Sequence, residues 1–77
     1  MDTIGERVRT ARERRFMTQE ALSQQTGITE ATISRIENDR GERRPRLGTI
    51  KRLADALGAD AEWILFGEDA EMGKAVA

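Results

Sequence analysis

Apolar residues recur along this chain at helical spacing, with polar residues filling the intervals. Ile4, Val8 and Ala11 fall at i, i+4 and i+7, which predicts a first helix over residues 3–15 with a single apolar stripe. Around that stripe lie Arg7, Arg9, Arg12, Arg14 and Arg15. Phe16 and Met17 are expected to close the corner into a second helix over 19–26. Thr18 can cap that helix, because its hydroxyl accepts from the free N–H groups of the opening turn. Met17 and Leu22 flank the cap at the spacing of a hydrophobic staple. Gly27 should end the helix, since a residue without Cβ takes the left-handed conformation cheaply. Thr29 offers the next cap, Ile28 and Ile33 repeat the staple, and a third helix is expected over 30–38. It would turn Ile33 and Ile36 inward and leave Glu30, Ala31, Thr32, Ser34 and Arg35 outside or at the edge.

Residues 39–46, DRGERRPR, break the periodicity. Gly41 and Pro45 mark a loop, and Arg40, Arg43, Arg44 and Arg46 charge it. A fourth helix follows over about 47–57, with Leu47, Ile50, Leu53, Ala54 and Leu57 inward and Gly58 as its stop. Its start lacks a strong cap. A fifth, over 60–66, begins at Asp60, carries Trp63, Ile64, Leu65 and Phe66, and ends at Gly67. The remaining EDAEMGKAVA reads as a short flexible tail over 68–77, which leaves 1–67 as one domain. Five helices with no strand signal predict a compact all-α, five-helix domain.

Composition narrows the functions open to such a domain. At 77 residues the chain holds one small domain, whose core is small enough that close packing or dimerisation should assist it. Cysteine, histidine and tyrosine are all missing, and the only serines are Ser23 and Ser34. Disulfides, thiolate or imidazole metal ligands and the commonest general base are therefore excluded. No carboxylate pair converges at helical spacing, so neither an enzyme, a metal, a cofactor nor a small-molecule ligand is expected. No apolar run is long enough to span a membrane, and a cytoplasmic protein is expected.

The formal net charge is −1, but it is divided unevenly. Residues 3–52 hold 12 Lys/Arg against 7 Asp/Glu, whereas residues 53–77 hold 1 against 6. A basic front and an acidic back fit a polyanionic partner, because local charge steers binding more than the total does.

The segment TQEALSQQTGITEATISRIEN, preceded by IGERVRTARERR and followed by RPR…TIKRLADALG and WILFGE, resembles the Cro and phage-repressor (XRE) family of helix-turn-helix DNA-binding proteins. The resemblance runs from about Ile4 to Gly67. It implies a lambda repressor-like fold in which the second and third helices form the helix-turn-helix. It implies a sequence-specific transcriptional regulator, a repressor, bound as a dimer to palindromic half-sites of double-stranded DNA and associated with the nucleoid. Three departures stand out. Ser23 replaces the usual Ala, Thr26 sits where an apolar residue is usual, and the Asn38–Pro45 loop is one or two residues longer than typical.

By position, Glu30, Ala31, Thr32 and Arg35 match the family's base-facing residues. Arg35 can offer two donors to guanine O6 and N7, and Glu30 can accept from a cytosine amine. Ala31 admits the helix and can touch a thymine methyl. Gln19 matches a phosphate anchor, and Asn38, Arg43, Arg44 and Arg46 would hold the backbone beyond the third helix. Arg46 can alternatively reach a minor groove. Arg12 and Glu37 match an ion pair that ties the first helix to the third in some relatives. Trp63 reads either as core or as a dimer contact shared with Ile64 and Phe66, and a mixture is expected, with Trp63 and Phe66 at the dimer contact and Ile64 in the core. The competing reading keeps the fold and makes the acidic, aromatic last helix a protein-interaction surface.

Overall fold

Four of the five described helices start at a capping side chain, and three end at a glycine. The computed structural model describes residues 3–67, and among these it contains five helices and no strand. Helix α1 (Ile4–Arg14) is capped by Thr3, whose hydroxyl accepts from the Glu6 N–H at 3.1 Å. Helix α2 (Gln19–Thr26) is capped by Thr18 through the Ala21 N–H at 3.0 Å. It ends at Gly27, whose φ of 77° lies in the left-handed region that glycine enters without strain. Helix α3 (Glu30–Asn38) is capped by Thr29 through Thr32 N–H, helix α4 is Leu47–Leu57, and helix α5 is Ala61–Phe66 with Asp60 as its cap.

Thr26 fits the α2–α3 corner despite its polarity. Its hydroxyl donates to the Leu22 carbonyl at 2.7 Å and accepts from the Ile28 N–H at 3.1 Å. The hydroxyl thus satisfies two backbone groups at the turn where an apolar side chain would satisfy neither.

Val8, Leu22, Ile33, Ile50, Leu53 and Ile64 form a fully buried centre, one or two from every helix. Burying each such side chain contributes about 1.5–3 kcal/mol of transfer free energy. Helices α1 and α3 cross at Gly5. A Cβ there would sit 2.7 Å from the Glu37 carbonyl oxygen and would also strike that of Ile36. The absence of a side chain therefore sets how closely α3 lies on the scaffold.

The structure corrects the sequence expectation at three positions. Leu47, expected inward, is 68% exposed, because it is the first residue of α4 and the packed stripe begins one turn later, at Ile50. Phe16, expected to close the α1–α2 corner, is 96% exposed. The chain does turn there, through a left-handed backbone (φ 56°), while the half-buried Met17 does the packing.

Arg7, placed beside the apolar stripe of α1, is buried. Its Nε donates to the Ile64 carbonyl at 2.8 Å and its Nη2 to that of Leu65 at 3.1 Å. These belong to the last turn of α5, where carbonyls lack helical partners and a cation is favoured. Arg15 likewise donates to the Leu57 carbonyl, at 3.4 Å, where α4 ends. The cationic residues of α1 thus clasp the ends of α4 and α5 as well as surrounding the stripe.

Candidate nucleic-acid interface

Helix α3 turns Ile33, Ile36 and Glu37 into the protein and its opposite face outward. On that outer face Glu30, Ala31 and Arg35 are exposed. Thr32 is half-buried, and its hydroxyl accepts from that of Thr29 at 2.9 Å. The side chains of Glu30 and Arg35 make no hydrogen bond or ion pair among the described residues.

The orientation of α3 is fixed from behind. Arg12 grips Glu37 with two parallel bonds, Nε to Oε2 at 2.8 Å and Nη2 to Oε1 at 3.0 Å. The same guanidinium donates to the Met17 carbonyl at 2.8 Å. Glu37 is 5% exposed, so this two-pronged pair is largely shielded from water. The bond to Glu37 raises the Arg12 pKa against the opposing effect of burial, and the charges of Glu37 and Glu13 add to it. Gln19, the first residue of α2, joins the network by donating from Nε2 to Glu37 Oε1 at 3.1 Å. One amide hydrogen and the carbonyl oxygen of Gln19 stay outside that bond. The first-turn N–H groups of α2 point along the same end.

The loop after α3 is held by Asp39. One carboxylate oxygen, Oδ1, accepts from the backbone N–H groups of Gly41 at 2.8 Å, Glu42 at 2.7 Å and Arg43 at 3.4 Å. Desolvation pushes this carboxyl up. The bonds from Glu42, Gly41 and Arg43, with the charge of Arg43, outweigh it and hold its pKa below the ordinary aspartate value. The D-x-G spacing of Asp39 and Gly41 is the signal in the sequence for this Asx turn.

This loop returns to face α3 across a cleft of about 440 Å³. Thr32 and Arg35 line one wall, and Arg43, Arg44 and Arg46 line the other. A second, contiguous cleft of about 500 Å³ is lined by Arg35, Asn38, Asp39, Glu42 and Arg43. The structure therefore brings together Arg35 and the loop arginines. Asn38 lies at the rim, with its amide donating to Ser34 Oγ at 3.3 Å. Gln19 is separate, at the α2 end of the same helical pair. No side chain caps α4 next to Arg46, so its first-turn N–H groups add further donors at the loop end.

Trp63 is half-buried against the core, Ile64 is fully buried, and Phe66 is 51% exposed. Among the described residues, no group of His, Cys, Asp and Glu side chains is arranged to hold a metal ion. None of the described helices is long and apolar enough to cross a membrane.

Five helices, with α2 and α3 meeting at a glycine turn and the polar face of α3 turned outward, define a helix-turn-helix protein. Residues 3–63 match the family model described as helix-turn-helix domain. The chain is 42% identical over 67 residues to the HTH-type transcriptional repressor RghR of Bacillus subtilis, covering 86% of this chain and 48% of that protein. It is 33% identical over 67 residues to the immunity repressor protein of Bacillus phage phi105, covering 87% of this chain and 44% of that protein. It spans about half the length of these two relatives. Among solved structures, the P22 c2 repressor in complex with synthetic operator 9T matches with a TM-score of 0.76 and 30% identity. That match covers 87% of this chain and 98% of the repressor chain. An HTH_3 family transcriptional regulator from Vibrio cholerae matches at 0.72 and 29% identity, covering 90% of this chain and 37% of the regulator. The chain belongs to the Cro and phage-repressor family of helix-turn-helix DNA-binding transcriptional repressors.

Proposed function

We propose that this chain represses transcription by binding a palindromic operator as a homodimer, with α3 of each copy in the major groove. The observation that carries this reading is the shared cleft: the outward wall of α3, with Thr32 and Arg35, faces Arg43, Arg44 and Arg46 of the loop. A duplex seated there meets base-reading and backbone-holding groups at once.

In this reading Arg35 donates to a guanine, Glu30 accepts from a cytosine amine, and Ala31 and Thr32 lie against base edges. Gln19, Asn38, Arg43, Arg44 and Arg46 hold phosphates, and Trp63 and Phe66 contribute to the contact between copies. Half-sites then lie about one helical turn, roughly 34–36 Å, apart. The P22 c2 repressor, similar over nearly its whole chain, is bound to operator DNA in its structure, which supports the same partner here. The chain acts by binding, in the cytoplasm at the nucleoid. Residues 1–67 form the binding unit, and the proposed tail, 68–77, lies outside the described residues.

Selection of bound duplexes from a random-sequence pool tests the proposal. The expected result is one enriched motif with two-fold symmetry. Recovery of unenriched sequence at low salt would sink it.

A further inference from the structure

The DNA-facing surface proposed above is not uniformly basic, and its one exposed acidic loop residue is placed where charge matters. Glu42 lines the same cleft as Arg35 and Arg43. Its backbone N–H is fixed by Asp39 Oδ1 at 2.7 Å, so the residue is held in position within the loop. Its side chain is exposed and makes no hydrogen bond or ion pair among the described residues. The neighbouring carboxylate differs, because Asp39 Oδ1 is occupied by three backbone donors and shapes the turn. Among the described residues, no side chain or backbone group pairs with the Glu42 carboxylate.

Resting on the DNA reading, we infer that Glu42 is a specificity determinant that weakens binding to non-operator DNA more than binding to the operator. A carboxylate accepts hydrogen bonds and donates none, so a phosphate brought against it is repelled. On non-operator DNA the protein is held by phosphate contacts alone and samples many registers. In a large share of these the loop meets backbone, and Glu42 opposes the pull of Arg43 and Arg44. On the operator, the base contacts of Arg35 select one register. Because Glu42 and Arg35 line one cleft, the register that Arg35 selects also fixes where the carboxylate meets the duplex, and selective repulsion requires that place to be off the strand. Discrimination is a difference of two affinities, and a repulsive element acting mainly on the unwanted partner widens it.

The test compares wild type, E42Q and the charge-matched D55N on α4. Two duplexes are used: the one enriched from the random pool by wild type, and a shuffled duplex of equal length. E42Q is isosteric at an exposed position, so folding is not at issue. The expected result is that E42Q tightens the shuffled duplex about three- to ten-fold and the enriched duplex less than about two-fold, with a steeper salt dependence on the shuffled one. D55N should leave the ratio of the two affinities unchanged. Equal tightening of both duplexes by E42Q, or the same change in ratio with D55N, overturns the inference and leaves the DNA reading standing. Weaker binding of the enriched duplex alone overturns it in favour of a base contact by Glu42. Failure of wild type to enrich any duplex overturns the DNA reading and the inference together.

Discussion

Arg12 and Glu37, twenty-five residues apart in sequence, face each other through two parallel hydrogen bonds at the seam between α1 and α3. Breaking the pair from one side leaves a shielded charge alone, which costs more than the pair itself contributes. Glu37→Ala and Arg12→Ala are each expected to lower unfolding free energy by about 3–5 kcal/mol. Replacing both with alanine should cost clearly less than the sum of the single changes. Chemical denaturation of the four species, read as a double-mutant cycle, checks this; strict additivity would remove the coupling claimed.

Gly5→Ala should destabilise the fold by about 1–3 kcal/mol or more, since the new Cβ meets main-chain carbonyls that have no side-chain freedom to yield. Helix propensity alone predicts the reverse, a gain of about 1 kcal/mol from replacing glycine within a helix. Thermal unfolding therefore separates the two effects by sign.

Phe16→Gly should stabilise the protein by about 1 kcal/mol, because Phe16 holds a left-handed backbone that costs a side-chain-bearing residue about 1–2 kcal/mol. Its ring is 96% exposed, so little packing is lost. A lowered denaturation midpoint for this variant would show that the ring has a contact of consequence.

Arg35→Ala should cost about 1–3 kcal/mol on the selected duplex and relax the preference at one base pair. Arg44→Ala should weaken all duplexes alike and flatten the salt dependence. Competition binding over a panel of single-base changes distinguishes the two patterns. Uniform loss with Arg35→Ala would refute its base-reading role.

The Asp39 carboxyl should titrate below the ordinary aspartate value of about 3.9. Since the folded pKa is the lower one, its stabilising effect is complete above the unfolded value and is lost as pH falls through the folded value. Carboxyl and amide chemical shifts of Asp39, Gly41 and Glu42, followed on acidification, report it. Asp39→Ala should abolish the shared titration and loosen the loop at all pH values.

Much of this architecture was legible from residue order because its signals are local. Thr18, Thr29 and Asp60 satisfy N–H groups two or three residues away, and Gly27 and Gly58 adopt conformations others resist, so helix ends can be read within one turn. The Arg12–Glu37 pair was legible only through the family resemblance. What escaped depends on distant partners or on a stripe's edge. Arg7 follows Ile4 by three residues and precedes Ala11 by four, so it lies on the buried face. Its acceptors, however, are carbonyls 57 and 58 positions later that no periodicity reveals. Leu47 fits the apolar period of α4, but the period does not report that the neighbouring helices pack only from the next turn onward. At the interface, the sequence pointed to Arg35 and the loop arginines separately. Their meeting across one cleft depends on the Asp39 turn.

The clasping of α5 by Arg7 bears on the order of events during synthesis. Helix α1 emerges before its partners in α5, because the carbonyls that Arg7 holds lie 57 and 58 residues downstream. Until those carbonyls emerge, Arg7, buried in the folded domain, has nothing of α5 to dock against. Helix α1 is thus made well before the helix that completes its packing, so shortening the nascent chain before residue 65 should leave the Arg7 clasp unmade while the Arg12–Glu37 seam to α3 can still form.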